Sequence, residues 1–293
     1  MRSIAKRTGM LAETKPRWLN KKIIHSACRD TRKLLRGLGL RTVCEESLCP
    51  NISECFGKKV ATFMILGVVC TRGCAFCGVT KDKRPKEVDL NEPLKIKEAV
   101  QKLRLNYIVI TSPTRDDLFD GGASAFCRTV KEIKSISLQK RVELLIPDFK
   151  ENLSSIEKVV FSGAEVIAHN VETVPSLYIK VRRGADYRRS LNVLSRIKGS
   201  NSKLFVKSGI MLGLGEKEKE VKNVLEDLKS VGCDFVTIGQ YLPPSLEHTP
   251  LKEYVAPEVF NHFKEYAFSL GFMDVKSAPY VRSSYLAHSF FCE

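Results

Sequence analysis

The sequence predicts an α/β chain organised as a partial (β/α)6 barrel of the TIM type, with N- and C-terminal extensions. Three observations predict it. Short apolar runs of strand length alternate with amphipathic helical stretches in six successive units from residue 61 onward. Polar residues recur just after each predicted strand, where parallel barrels build their active sites. Residues 1–60 and 277–293 fall outside the repeat, which divides the chain into an N-terminal extension (1–60), a barrel (61–276) and a C-terminal tail (277–293). A doubly wound sheet is the competing architecture, and the recurrent rim polarity favours the barrel.

The elements follow in order. Residues 61–67 form an apolar run of strand length, and 93–105 carry apolar side chains at Leu94, Ala99, Val100 and Leu103 with charges between, a helix. Residues 107–111 read as a buried strand, 123–136 as helix, 142–146 as strand, 153–161 as helix and 165–169 as strand. A helix over 188–197, a strand over 204–212, a strongly amphipathic helix over 217–231, a strand over 235–238 and a helix over 257–270 complete the series. The last helix has Pro257 in its first turn, where the missing N–H costs nothing. The polar residues after the strands include Ser112, Arg115, Asp116, Pro147, Asp148, His169, Asn170, Glu172, Gly213, Glu216 and Gln240.

At 43% hydrophobic and 28% charged residues, the chain is neither disordered nor fibrous. Its longest apolar stretch, residues 60–70, is about half of what a membrane-spanning helix needs. Residues 1–14 are basic but lack the apolar core of a secretory signal and are short for a transit peptide, so a cytoplasmic location is expected. There, ten cysteines serve better as ligands, catalysts or core residues than as a disulfide framework. Six of them lie within 34 residues as two triplets: Cys44, Cys49 and Cys55 in a C-x4-C-x5-C pattern, and Cys70, Cys74 and Cys77 in a C-x3-C-x2-C pattern. A lone C-x2-C is as readily a pair of core thiols, but two adjacent triplets point to two metal centres. Structural zinc wants four protein ligands and neither triplet has a fourth close behind it, whereas three thiolates on a compact loop suit an iron–sulfur cluster with one iron open.

The second triplet, on a loop after the first barrel strand, matches the motif of the radical S-adenosylmethionine (SAM) superfamily. The resemblance implies that Cys70, Cys74 and Cys77 hold a [4Fe-4S] cluster whose fourth iron chelates SAM, and that an electron from it splits SAM into methionine and a 5′-deoxyadenosyl radical. The cofactor then supplies the hard chemistry while the barrel positions the substrate. Phe76 corresponds to the aromatic residue beside the adenine, and Gly121 and Gly122 to the Gly-rich segment whose backbone approaches the methionine moiety.

Further motifs narrow the resemblance. Cys44, Cys49 and Cys55, the stretches 111–117, 169–173, 207–215 and 238–242, and Arg282-Ser-Ser-Tyr-Leu-Ala287 together resemble the lipoyl synthase family, over about residues 15–287. Pro113 and Thr114 depart from the family pattern, while Arg115, Asp116 and Asp117 persist. The resemblance implies that the first triplet holds an auxiliary [4Fe-4S] cluster completed by a serine of the Arg-Ser-Ser-Tyr motif, assigned to Ser284 ahead of Ser283. It implies insertion of two sulfur atoms at C6 and C8 of a protein-bound octanoyl group, the sulfur coming from the auxiliary cluster. Asn170, Glu172, Lys207 and Arg282 are the implied SAM- or substrate-positioning residues. The implied partners are octanoylated lipoyl carrier domains (2-oxoacid dehydrogenase E2, glycine cleavage H protein), a ferredoxin- or flavodoxin-type electron donor and a cluster-rebuilding carrier, with no membrane and no nucleic acid.

Two other readings account for part of the pattern. A tRNA-modifying radical SAM methylthiotransferase also pairs two clusters, but it carries a larger cluster domain and an RNA-binding domain for which the tail is too short. A basic zinc or iron–sulfur protein that binds nucleic acid would use the formal charge of +15, but no aromatic platform or reader motif accompanies the basic residues. The charge instead suits docking of an acidic carrier domain.

Overall fold

Six strand–helix units in a row place their strands side by side in one sheet, and the computed structural model has that sheet. It describes residues 15–20, 28–58, 60–285 and 287–291. Residues 1–14, Lys21 and Lys22 of the N-terminal basic run, Leu286 of the tail motif and Cys292 lie outside them.

The strands are β1 (Arg41–Thr42), β2 (Thr62–Met64), β3 (Val69–Cys70), β4 (Thr80–Lys81), β5 (Tyr107–Thr111), β6 (Arg141–Leu145), β7 (Val166–Ala168), β8 (Phe205–Leu212), β9 (Phe235–Gln240) and β10 (Asp274–Ser277). The helices are α1 (Arg29–Gly37), α2 (Val43–Glu46), α3 (Ile52–Gly57), α4 (Glu92–Leu103), α5 (Ala123–Lys134), α6 (Leu153–Val160), α7 (Tyr178–Val181), α8 (Tyr187–Ser200), α9 (Glu218–Ser230) and α10 (Pro257–Ser269). Eight strands make one sheet in the order β1-β2-β5-β6-β7-β8-β9-β10. From β2 to β10 every neighbour is parallel, and β1 joins β2 antiparallel. β1 and β10 end the order without pairing to each other, so the barrel is open on one side.

The helices form where their apolar spacing demands a partner. In α9, Val221, Val224, Leu225 and Leu228 recur at helical spacing and are all buried, each worth about 1.5–3 kcal/mol against the sheet. Asn152 caps α6 by accepting the Ser155 N–H at 3.0 Å, and Asp186 caps α8 by accepting that of Arg189 at 2.7 Å. The predicted strand over 61–67 stops at Met64. Leu66 and Gly67 adopt φ of 68° and 83°, and the Leu66 N–H turns away to the Glu92 carboxylate at 2.8 Å. Besides the short pair β3 and β4, two strands of the main sheet escape the sequence pattern. β10 is four residues of alternating burial, and β1 is a two-residue edge strand supplied by the N-terminal extension, too short for any periodicity to register.

The tail covers the open side. Val281 presses its carbonyl against Gly239 of β9, Ser284 receives a hydrogen bond from Thr62 of β2 at 2.8 Å, and the Tyr280 carbonyl accepts from Asn51 at 2.7 Å. A Cβ on Gly239 would lie 2.1 Å from the Val281 oxygen. Gly239→Ala must therefore displace the tail. It is expected to lower stability by about 1–3 kcal/mol and to alter the spectrum of any cluster that Ser284 completes, measured by thermal unfolding and electron paramagnetic resonance.

Candidate active site and its two cysteine groups

The second cysteine triplet emerges from β3 and returns through β4, whose parallel pairing (Val69 with Thr80, Cys70 with Lys81) pinches the loop at its base. Arg72, between Cys70 and Cys74, fastens the loop to the barrel rim. Its guanidinium donates Nε and Nη2 to Asp116 at 2.8 and 2.9 Å, and Nη1 and Nη2 to Asp148 at 2.7 and 2.6 Å. Asp148, with no side-chain exposure, takes a further contact from Arg189 at 3.0 Å. The carboxylates hold the Arg72 cation charged against its burial, and Arg72 in turn holds Asp148 far below the usual carboxylate range despite its own burial. Charge-assisted forks of this kind are the strong class of hydrogen bond. Sequence reasoning missed Arg72 as a site residue. Its signal was a cation inside the cysteine loop with two rim aspartates to meet.

The three thiols face a cavity of about 210 Å³ walled also by Phe76, Ser112, Asp148, His169, Asn170 and Glu172. A second cavity of about 370 Å³ shares the walls made by Phe76, Cys77, Asn170 and Glu172 and runs on to Cys44, Cys49, Arg282 and Ser284. Behind it, Cys44, Cys49, Cys55 and Ser284 line one small space. The fold thus brings each triplet together, and joins the two by one continuous cavity. Ser284 stands with the first triplet. Ser283 faces the other way and accepts a hydrogen bond from Asn170.

Glu172 sits at φ 66°, a left-handed conformation rare for a side chain of its size and typical of strained functional positions. Asn170 donates to its carboxylate at 3.0 Å, and burial raises the Glu172 pKa, opposed by Arg182, Asn170 and Arg282. Arg282 is held by the Val281 carbonyl at 2.7 Å. Phe76 packs on the small apolar cluster of Val181, Leu214 and Tyr241. His169, buried, bonds Ile146 O at 2.9 Å and Ser190 Oγ at 3.1 Å.

Burial and the Arg182 cation push the His169 pKa down to about 4 from 6.5. The unfolded chain then binds the proton and the folded chain does not between those values. The stability that neutral His169 contributes is present above pH 6.5 and lost as the pH falls toward 4. In urea unfolding, the stability deficit of His169→Gln relative to the parent is expected to shrink by about 2 kcal/mol between pH 7 and pH 5.

Three implied site residues stand elsewhere. Lys207 is not on the rim. It lies near the start of β8, fully buried, with its ammonium 2.7 Å from Glu143, whose other oxygen accepts the Tyr107 hydroxyl; the Phe290 ring covers it at 4.6 Å. Gly121 and Gly122 do not line either cavity. They take φ of 60° and 95°, and Cβ atoms there would strike Phe149 at 2.8 Å and Leu66 at 2.2 Å, so their smallness serves the packing at the start of α5. Among the rim polar residues, Arg115 holds the Leu66 and Lys86 carbonyls and Asp117, Glu216 accepts the Gly213 and Leu214 N–H groups, and Gln240 bridges three carbonyls and the Val255 N–H. Arg115 and Glu216 brace loops away from both cavities, while Gln240 braces its loop and also lines the second cavity.

The residues present fit two iron–sulfur clusters and SAM. Burial pushes the Cys44 thiol up to about 12 and the Cys77 thiol up to about 11, and raises Cys74. Bare thiolates are costly there, and bound iron would supply the missing positive charge. Among the described residues no three Cys, His, Asp or Glu side chains close on a point fit for a single ion; each triplet surrounds a volume instead. On the cavity wall, Ser112 Oγ and Asn170 Oδ1 are buried without a hydrogen-bond partner, polar atoms that a bound molecule would satisfy.

Comparison with known proteins agrees with this geometry. The family model described as the radical SAM superfamily matches residues 64–228. A protein named lipoyl synthase from Caldicellulosiruptor saccharolyticus is 56% identical over 95% of this chain and 98% of its own length.

The chain belongs to the lipoyl synthase family of the radical SAM superfamily.

Its cofactors are SAM and two [4Fe-4S] clusters, and it is a sulfurtransferase of the radical SAM class. The full-length match sets aside the methylthiotransferase and zinc-protein readings. Solved structures support the fold alone. Methylornithine synthase superposes with a TM-score of 0.54 at 17% identity, over 87% of this chain and 83% of that one. SuiB of Streptococcus suis, bound to its precursor peptide, gives a TM-score of 0.55 at 10% identity over 75% of this chain, which spans about half (48%) of that protein. Among the described residues no helix is long and apolar enough to cross a membrane.

Proposed function

We propose that the chain inserts two sulfur atoms, at C6 and C8, into an octanoyl group amide-linked to a lysine of a lipoyl carrier domain. The observation that carries this is the continuous cavity with a cysteine triplet at each end. Bound there, SAM and the two clusters supply an electron, a carbon radical able to take hydrogen from an unactivated C–H bond, and sulfide. Cys70, Cys74 and Cys77 hold one cluster; Cys44, Cys49, Cys55 and Ser284 hold the other. An alkoxide or hydroxyl is a harder and less usual iron ligand than a thiolate, and that suits a corner which must open when the cluster gives up sulfur.

The remaining walls explain what the chain itself does. Val43, Phe76, Val79, Leu145 and Met211 offer the apolar surface between the triplets that an eight-carbon chain needs. Asn170 and Glu172 stand where the two cavities meet and Arg282 lines the second near Glu172, placed to fix the polar parts of SAM. Arg72 fixes the loop. The carriers are those of 2-oxoacid dehydrogenase E2 and glycine cleavage H protein, the electron donor is of ferredoxin or flavodoxin type, a further carrier rebuilds the spent cluster, and the setting is the cytoplasm.

The test is anaerobic incubation of reconstituted enzyme with SAM, a strong reductant and an octanoyl-lysine peptide. Mass spectrometry is expected to find a product with two sulfurs gained, as the dithiol under the reducing conditions, from enzyme holding about eight irons per chain. Zinc without sulfide, or SAM cleavage with no sulfur in any product, would overturn the proposal.

A further inference from the structure

Four cations, Arg29, Arg32, Lys33 and Arg36, stand at helical spacing on α1 and enclose a groove of about 350 Å³ by themselves. Like charges three and four residues apart repel along a helix, and a helix selected only for stability would alternate their sign. One carboxylate relieves them. Glu45 of α2 accepts Arg32 and Arg36, each at 3.2 Å. Arg29 and Lys33 are exposed and make no ion pair among the described residues.

Glu45 links the groove to the wall of the octanoyl cavity. Glu45 is the residue after Cys44, and its carbonyl receives the Leu48 N–H at 3.1 Å. Leu48 lines that cavity, is 70% exposed, and holds a left-handed backbone with φ of 52°. The left-handed backbone closes α2 as a Schellman cap, with the Cys49 N–H on the Cys44 carbonyl at 3.1 Å, and leaves the Leu48 side chain facing solvent. The loop carrying Leu246 (103% exposed) follows Pro243 and Pro244, which also line the cavity. Gly78 joins the two segments, its Cβ position lying 3.2 Å from Pro244 and 3.6 Å from the Glu46 carbonyl.

We infer that the basic face of α1, with Leu48 as an apolar anchor, is the docking surface for the acidic face of the carrier protein whose acylated lysine enters the cavity. The inference rests on the proposed function. Charge complementarity selects the partner: a ridge of four cations steers and orients an anionic surface, and its link through Glu45 to the cavity wall sets the partner's lysine within reach of the cavity. A nucleic acid is the other polyanion such a ridge attracts, but the cavity linked to it has apolar walls fit for an acyl chain.

The experiment compares two substrates on one enzyme. The parent and Arg29→Glu/Lys33→Glu, both reconstituted and matched for iron content and circular dichroism, are assayed with a full octanoylated carrier domain and with a short uncharged octanoyl-lysine peptide. The ratio of kcat/KM for the carrier to that for the peptide is expected to fall at least about tenfold in the double variant. The parent's KM for the carrier should rise steeply with salt and the variant's much less. An unchanged ratio, or an equal loss on both substrates, would overturn the docking assignment, as would a variant that loses salt-sensitive binding of a short duplex RNA while keeping the carrier ratio. If the parent converts neither substrate, it is the proposed function that fails and not this surface.

Discussion

Replacing Cys44 with alanine should leave reductive cleavage of SAM nearly intact while abolishing sulfur insertion. The reason is geometric. Cys44 lines the space shared with Cys49, Cys55 and Ser284 and is absent from the cavity of the Cys70 loop. Its loss removes one ligand of one cluster, and the deeply buried thiol it replaces makes no contact with the SAM end. Anaerobically reconstituted Cys44→Ala is expected to lose up to about half of its iron, to form methionine from SAM, and to yield no product with sulfur gained. Equal loss of SAM cleavage and sulfur insertion would show that the triplets do not have separate tasks.

Arg72→Ala should strike the other cluster, slowing SAM cleavage and with it sulfur insertion. Removing this guanidinium leaves Asp148 and Asp116 facing each other with Arg189 as the main remaining cation, and breaking a buried pair from one side costs about 3–5 kcal/mol. Part of that cost falls on the fold. The rest falls on the Cys70 to Cys77 loop, which loses four hydrogen bonds to the rim. The variant is expected to bind the SAM-end cluster weakly, to retain the auxiliary one, and to cleave SAM at least about a hundredfold more slowly, since an error of about an ångström in position can cost that much. Arg72→Lys keeps the charge but cannot make both forks, and an intermediate rate is expected. Iron analysis together with SAM-cleavage rates checks both variants. A rate in Arg72→Ala equal to the parent's would remove the clamp from the account.

The two variants also measure what the local sequence could reveal. Both triplets were legible from spacing, because three sulfurs that bind one cluster must come from a short segment. Arg72 was visible as a residue but not as a clamp, since Asp116 and Asp148 lie on two different loops far along the chain. Lys207 shows the opposite error: its neighbours in a motif suggested the rim, while its position in β8 puts it against Glu143 below. Gly121 and Gly122 were singled out as places where a side chain does not fit, and Phe149 and Leu66 are the side chains a Cβ there would meet.

The sequence by itself determined the repeating strand–helix series, the two cysteine groups and the family, because periodicity, ligand spacing and motif identity are local along the chain. Only the tertiary structure decided that β1 and β10 extend the sheet, that the tail crosses its open side to set Ser284 beside Cys44, Cys49 and Cys55, and that one cavity joins the two groups. The tail contacts join residues more than two hundred positions apart, and no periodicity encodes any of the three; they follow from which surfaces remain uncovered once the barrel has closed as far as its strands allow.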